Sequence, residues 1–405
     1  MPACLFLFTP CSIDNLGTMK ILHTSDWHLG HTLYNYDRTE EQLQMISQMA
    51  EIVDTHKPDV FIISGDVYHT PQPSAATQRM FTDGLVEIHK ANPQMSIIVT
   101  AGNHDSGSKH DIFRNPWRAL NVFTIGNICK EADEHIIEIP DKGFVIAIPY
   151  SNERNIPTGF FQTLLDKVNE RNMNELPVVM TAHTTINGCD FTGHDNSSEY
   201  TVGGIDYMQL KEMGCGYDYL ALGHIHHAQF IHTGKHNVRY SGSPLPVSFD
   251  ENFAHTVSIV DIPAHGCRPD IYEKEIYNPH PLVTLPVHGT ATFYEALELL
   301  KAFPEDIPAY IRLNVETEDF LHPEANAEAL VAAKEKRCRF CCMNVRHSLD
   351  RKTEANILSI QEFRSEAPIE IARRYADDTG ITFDDDMNSL FNEVIRMVDN
   401  DLRNN

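Results

Sequence analysis

No apolar run of about 18 residues or more occurs anywhere in the 405-residue chain, so nothing in it is suited to span a bilayer as a helix. The N-terminal Cys4-Leu5-Phe6-Leu7-Phe8 is too short for a signal core, and no basic residue precedes it, the first being Lys20. Secretion is therefore excluded, and a soluble, cytoplasmic chain is expected. The nine cysteines are scattered and odd in number, which suits a reducing compartment. Cys338, Cys341 and Cys342 alone cluster, with no second Cys or His pair at zinc spacing, and read as buried or partly buried thiols on a strand. Positive charge is also scarce: 32 Lys and Arg against 57 Asp and Glu leave a formal net charge of −25, the wrong sign for a chain that coats itself in nucleic acid. Local binding is not excluded, because phosphate contacts need only a stripe and bound metal ions add positive charge where it matters. A G-x-x-x-x-G-K-[ST] loop is missing too, so any ATP dependence belongs to another polypeptide.

Against these absences stand five short apolar runs that each end in Asp, Asn or His. Residues 21–25 lead to Asp26-Trp27-His28, 60–64 to Gly65-Asp66-Val67-Tyr68-His69, and 96–100 to Ala101-Gly102-Asn103-His104-Asp105. Further on, 178–182 lead to His183 and 219–222 to Gly223-His224-Ile225-His226. A β-branched run closing in Gly and polar residues reads as a strand delivering side chains to the loop at its carboxyl end, where open α/β sheets keep their ligands. The donors are carboxylate, amide and imidazole, with no thiolate, which suits a hard or borderline divalent ion with open positions. Seven candidates, Asp26, His28, Asp66, Asn103, His183, His224 and His226, exceed what one ion needs. Two ions sharing a carboxylate fit the number, with Asp66 as the bridge; such a pair, roughly 3.5–4 Å apart, can hold both oxygens of a phosphoryl displacement. Singly, each residue reads as a turn former, a cap or a core histidine. Only the ordered set points to a site.

That set, D-x-H, G-D, G-N-H-D, H and G-H-x-H, resembles the calcineurin-like metallophosphoesterase superfamily. The phrases His23-Thr24-Ser25-Asp26-Trp27-His28-Leu29-Gly30, Gly65-Asp66-Val67-Tyr68-His69-Thr70 and Ser241-Gly242-Ser243-Pro244-Leu245-Pro246-Val247-Ser248-Phe249-Asp250-Glu251 narrow the resemblance to the SbcD family of bacterial nuclease subunits. It runs from Met19 to the C-terminus, strongly to about Glu251. The resemblance implies a metal-dependent DNA nuclease subunit, a double-strand 3′–5′ exonuclease and hairpin or single-strand endonuclease, working with an SbcC-type ATPase in DNA repair and recombination. Two divalent ions are implied, with manganese the family expectation ahead of magnesium or iron. Asp26, His28, Asp66 and His226 are assigned to one ion, and Asp66, Asn103, His183 and His224 to the other. The residue matching His104 contacts the reacting phosphate in this family and assists the leaving oxygen as general acid. Asp105 is expected to orient His104 or a ligand histidine. His69 matches a position that is His in some relatives and Asp in others. His31, His227, His232 and His236 are read as surface residues. Two other readings stay open: a metallophosphatase or small-molecule phosphodiesterase on the same fold, and a non-catalytic DNA-end scaffold.

Along the chain, residues 1–18 precede the first strand and the resemblance, and are expected to be a non-native extension with Met19 as the natural start. Apolar periodicity predicts helices over 37–56 and, behind a Ser74 cap, over 74–90, so strand and helix alternate as in an α/β layer structure. In the resembling family helices of this region make a homodimer within a heterotetramer; Met45, Met49 and Met80, read as exposed, are compatible with that. Helices are expected after Asp105 and over 159–171, a polar loop over 187–204, and a run of antiparallel strands beyond His226. The superfamily resemblance implies a four-layer α-β-β-α sandwich for residues 19–281. After a linker around Asn278-Pro279-His280-Pro281 the pattern restarts over 282–350 as a small α+β domain, which in this family caps the nuclease site and helps place DNA. Lys334, Lys336, Arg337, Arg339, Arg346, Arg351 and Lys352 form the one basic concentration, a solvated face by default and a DNA-facing surface on the sharper reading, with Arg337, Arg339 and Arg346 as the contacts. In the segment 351–405, a stripe of Met387, Leu390, Phe391, Val394, Val398 and Leu402 reads as a docking helix. The resemblance makes it the site for the ATPase partner.

Overall fold

The computed structural model describes residues 18–152, 155–193, 208–231, 236–318 and 320–347, together with Arg373, Met387 and Asn388. Strand and helix alternate first: β1 (Met19–Thr24), α1 (Thr39–His56), β2 (Val60–Ser64), α2 (Ala75–Ala91), β3 (Ser96–Thr100), the short helices α3 (Gly107–Ile112) and α4 (Arg114–Arg118), and β4 (Val122–Ile125). There follow β5 (Ile136–Ile139), β6 (Gly143–Ile148), α5 (Phe160–Arg171), β7 (Val178–His183), β8 (Tyr219–Gly223), β9 (Gln229–Phe230), β10 (Val238–Tyr240), β11 (Thr256–Ile262) and β12 (Asp270–Glu275). The last elements are β13 (Leu282–Leu285), α6 (Phe293–Ala302), β14 (Tyr310–Thr317), α7 (Ala325–Ala333) and β15 (Arg339–His347).

Among the described residues one sheet has the order β12-β11-β1-β2-β3-β4 and a second the order β5-β6-β7-β8-β10-β9. β1 to β4 are parallel, as are β6, β7, β8 and β10. The Val- and Ile-rich runs suit such strands, which are buried on both faces. Alternate residues sort the layers. Ile21, Val60, Ile62 and Ile98 of the first sheet share a core with Val145, Ala147, Val179, Tyr219 and Ala221 of the second. The intervening Leu22, Phe61, Ile63, Ile97 and Val99 pack on α1 and α2 through Met45, Ile46, Met49, Phe81 and Leu85. On the far side Ile146, Met180, Leu220 and Leu222 pack on Phe161, Leu164, Leu165 and Val168 of α5. The result is the α-β-β-α sandwich.

Three expectations need correction here. Met45 and Met49 are fully buried in the core, and Met80 packs against it, because the α1 and α2 faces that carry them close the first sheet. The strands beyond His226 are not one antiparallel run: β9 and β10 form a hairpin at the edge of the second sheet, whereas β11 and β12 return to the first, β11 antiparallel to β1. Lys336 is half-buried rather than a free cation of the basic face; its Nζ donates to the carbonyls of Lys301 (2.8 Å) and Phe303 (2.6 Å), closing the C-terminus of α6. Ser74 does cap α2, accepting from the Thr77 amide at 3.1 Å.

The chain divides into two units. The first runs to Val283 and takes in Asp306–Tyr310 and Arg337–Cys341; the second comprises Thr284–Glu305, Ile311–Lys336 and the described residues from Cys342 on. Within the second, α6 begins with a reciprocal cap in which the Thr292 hydroxyl accepts from the Glu295 amide and the Glu295 carboxylate accepts from the Thr292 amide. β13, β14 and β15 form a three-stranded sheet. Cys338 is buried and Cys341 and Cys342 are half-buried. No helix among the described residues is long and apolar enough to cross a membrane. The expected docking stripe, apart from Met387, lies outside the described residues, as do Arg351, Lys352 and most of the loop 187–204.

Candidate metal centre

β1, β2 and β3 of one sheet and β7 and β8 of the other send their carboxyl ends to the same edge of the sandwich, and the polar residues that follow them meet there. Donor atoms of Asp26, His28 and His226 lie within 4.8 Å of one another, and so do those of Asp26, Asp66 and His183. Asp66 spans the two groups: its Oδ2 is 3.8 Å from His28 Nε2 and 3.4 Å from His183 Nε2. Asn103 Oδ1 stands 3.0 Å from both His183 Nε2 and His224 Nδ1. The seven candidate ligands are thus gathered, with Asp26, His28, Asp66, His183 and His226 buried and Asn103 and His224 half-buried at the mouth.

Four of the candidate ligands carry backbone strain. Asp26 (φ 54°), His28 (φ 44°), Asp66 (φ 49°) and His224 (φ 99°) all adopt positive φ, which for a non-glycine residue costs on the order of 1–3 kcal/mol. The glycines of the motifs serve close approach: a Cβ on Gly102 would fall 2.0 Å from Asp66 Oδ1, and one on Gly223 would fall 1.9 Å from the Ser64 carbonyl oxygen.

The imidazoles are set as ligands by their outer nitrogens. His183 Nδ1 donates to the Ser64 carbonyl (2.7 Å) and His226 Nδ1 to Glu251 Oε1 (3.0 Å), so each presents its Nε2 to the centre. His226 Nε2 then faces His28 Nε2 at 3.1 Å. Nitrogens aimed at one another beside two carboxylates fit cations, and the all-oxygen-and-nitrogen donor set fits a divalent one. The electrostatics agree. Burial, then the Asp66 charge, raise the Asp26 carboxyl, although His183 and His226 oppose this. Burial and then the neighbouring imidazoles hold His28 well below its ordinary value. Burial disfavours a charged His183, yet Asp66 and Asp26 outweigh it and lift the ring to about 9.

His104 lies beside this centre, its ring 4.9 Å from that of His28 and stacked on His69 at 5.6 Å. Its amide donates to Asp66 Oδ1 (2.9 Å) and its Nδ1 to the His69 carbonyl (3.0 Å). Asp105 contacts no ligand histidine and does not hold the His104 ring, contrary to expectation. Its two oxygens accept from the amides of Gly102 (2.9 Å), Val67 (3.0 Å) and Tyr68 (2.9 Å), because the chain turns back after Asn103 and points the carboxylate under the β2 loop. Arg339 also departs from the reading as a DNA contact: it donates to Tyr310 Oη (2.8 Å) and lies over the rings of Tyr36 and Tyr310, while Arg337 and Arg346 are exposed. His31 and His227 are half-buried rather than surface residues, His227 stacking on Phe253 at 4.5 Å; His236 is exposed, and His232 lies outside the described residues. Sequence reasoning assigns no role to Glu251, although it ends a phrase that carries the resemblance; its contact with His226 joins distant loops and has no local signal.

Residues 19–228 match the calcineurin-like phosphoesterase family. Among curated proteins, the chain is 29% identical over 311 residues to the SbcD component of the nuclease SbcCD of Rhodobacter capsulatus, covering 70% of this chain and 75% of that one. It is 27% identical over 329 residues to the component of the same name from Escherichia coli K12, covering 75% and 80%. Against that of Bacillus subtilis 168 it is 28% identical over 263 residues, covering 60% and 66%.

Proposed function

The chain belongs to the calcineurin-like phosphoesterase family, and from that membership and its likeness to the SbcD components of SbcCD nucleases we propose that it is the metal-dependent nuclease subunit of a DNA-processing complex. Its reaction is hydrolysis of DNA phosphodiesters, as a double-strand 3′–5′ exonuclease and a hairpin or single-strand endonuclease. The observation that carries this reading is the convergence of seven oxygen and nitrogen donors from both sheets, with Asp66 within 4 Å of both His28 and His183. Asp26, His28, Asp66 and His226 would hold one ion and Asp66, Asn103, His183 and His224 the other. Two divalent ions bound there, manganese on this reading, would supply a water of lowered pKa and neutralise charge on the phosphoryl oxygens.

The chain's own groups do the rest. Glu251 and the Ser64 carbonyl keep His226 and His183 in the tautomers that can ligate. His104, anchored through Nδ1, offers its other nitrogen to protonate the leaving oxygen, a contribution typically worth about 10² to 10⁴ in rate. His69, stacked on His104, shields that ring and joins it at the phosphate. Arg337 and Arg346 are the exposed cations proposed to meet the DNA backbone. An SbcC-type ATPase is the proposed partner, bound through residues after 380, and a homodimer the proposed assembly.

Cleavage of a labelled hairpin-ended duplex with Mn²⁺ tests this. The expected result is activity in the wild type, loss in His104→Asn with both ions retained, and stimulation by the ATPase partner with ATP. Hydrolysis of bis-p-nitrophenyl phosphate with no cleavage of DNA would instead assign the centre to a small-molecule phosphodiesterase. Bound metal with no turnover on either substrate would leave a scaffold.

A further inference from the structure

Three residues past the ligand His28, the chain places a histidine that the metal set does not use. His31 donates its backbone N–H to the His28 carbonyl (3.0 Å), and its ring lies edge-on to His69 at 4.7 Å, on the side of the mouth that also holds His104. Its Nδ1 stands 3.2 Å from Nη1 of Arg38. That guanidinium is 2% exposed and is fixed by a second hydrogen bond from Nη1 to the Pro246 carbonyl (2.6 Å). A guanidinium only donates, so Nδ1 must be the acceptor and the ring proton sits on Nε2. The side-chain hydrogen bond of His31 among the described residues is made at Nδ1, and the residue is half-buried rather than sealed in the core.

We propose that His31 is a substrate-contacting residue, a neutral imidazole whose Nε2–H donates to a backbone phosphate oxygen of the bound nucleic acid, and that Arg38 is the positioning residue that fixes its tautomer. The inference deepens the nuclease reading and rests on it. A neutral donor suits this place, because a further cation would be repelled by two divalent ions, whereas a polarised N–H binds a phosphate oxygen without that penalty.

Two measurements test the assignment. In the His104→Asn background, where bound DNA is not consumed, His31→Ala is expected to weaken affinity for the hairpin duplex about tenfold, the loss of one hydrogen bond to a charged group. His31→Gln, which keeps a donor, is expected to restore most of it. In the His104-intact enzyme the loss should fall on KM rather than kcat. Equal affinity of the Ala variant and its parent overturns the proposal, and absence of DNA binding by the parent overturns it together with the nuclease reading. DNA binding that depends on His31 without any cleavage would overturn the nuclease reading alone. Independently of activity, long-range ¹H–¹⁵N spectra of the metal-free, histidine-labelled protein, with His31 identified by its loss in His31→Gln, should show Nδ1 bare and Nε2 protonated. The opposite tautomer overturns the role given to Arg38.

Discussion

Single atoms decide whether the centre can form. A methyl group on Gly102 would collide with Asp66 at 2.0 Å, so Gly102→Ala is expected to lose metal while the chain still folds, read by metal content after dialysis against a melting curve. Glu251→Gln, which weakens the hold on His226, is expected to cut metal affinity about 10- to 100-fold in calorimetric titration. His23 makes a pH prediction. Buried between the sheets, and next to the charge of Arg239, its ring is held down to about 3 from the ordinary 6.5, while Nδ1 and Nε2 pair with Tyr219 Oη (2.8 Å) and Ser64 Oγ (3.0 Å). Between those two values the unfolded chain takes up a proton that the folded chain refuses. Stability therefore falls on acidification, by about 1.4 kcal/mol per pH unit from this group. Urea midpoints of the metal-free protein between pH 7 and pH 5 should fall, and less steeply in His23→Gln. At this scale the candidate ligands are legible in the sequence because each ends a strand or follows its end within a few residues. His31 is not, because its partner Arg38 is buried by chain from the Pro246 loop, which no local pattern announces.

Among elements, the loops after β2 and β3 act as one piece, and Asp105 is what joins them. Removing its carboxylate leaves three amides, those of Gly102, Val67 and Tyr68, without an acceptor, at about 1–3 kcal/mol each where buried. Asp105→Ala is accordingly expected to lower stability by several kcal/mol in urea and to lose metal as a secondary effect, whereas His104→Asn should leave stability near wild type. Strands β1, β2 and β3 are readable from β-branched runs, and α1 and α2 from apolar periodicity. Their partners are not. Nothing in 229–276 says that β9 and β10 stay with one sheet while β11 crosses to the other, since both hairpins alternate alike and only the register of β11 on β1 decides. The methionines of α1 mislead for the same reason: periodicity shows that a face is apolar, and only packing shows what covers it.

For the whole molecule, the basic concentration proves to be several things: a helix cap at Lys336, a stacked guanidinium at Arg339, and exposed cations at Arg337 and Arg346. A net charge of −25 repels DNA, so Arg337→Glu with Arg346→Glu is expected to weaken duplex binding while sparing hydrolysis of bis-p-nitrophenyl phosphate. Truncation after Gly380 is expected to abolish binding of the proposed ATPase partner and to preserve metal-dependent cleavage of short substrates; unaltered partner affinity would remove the proposed docking role. The proposed ligands come from both sheets, Asp26, His28, Asp66 and Asn103 from one and His183, His224 and His226 from the other. An ion held there is a rivet between two plates. By mass action each ion at a hundredfold excess over its Kd adds about 2.7 kcal/mol to the folded state. The melting temperature of this protein thus becomes a gauge of metal occupancy, able to rank manganese, magnesium and iron before any substrate is known.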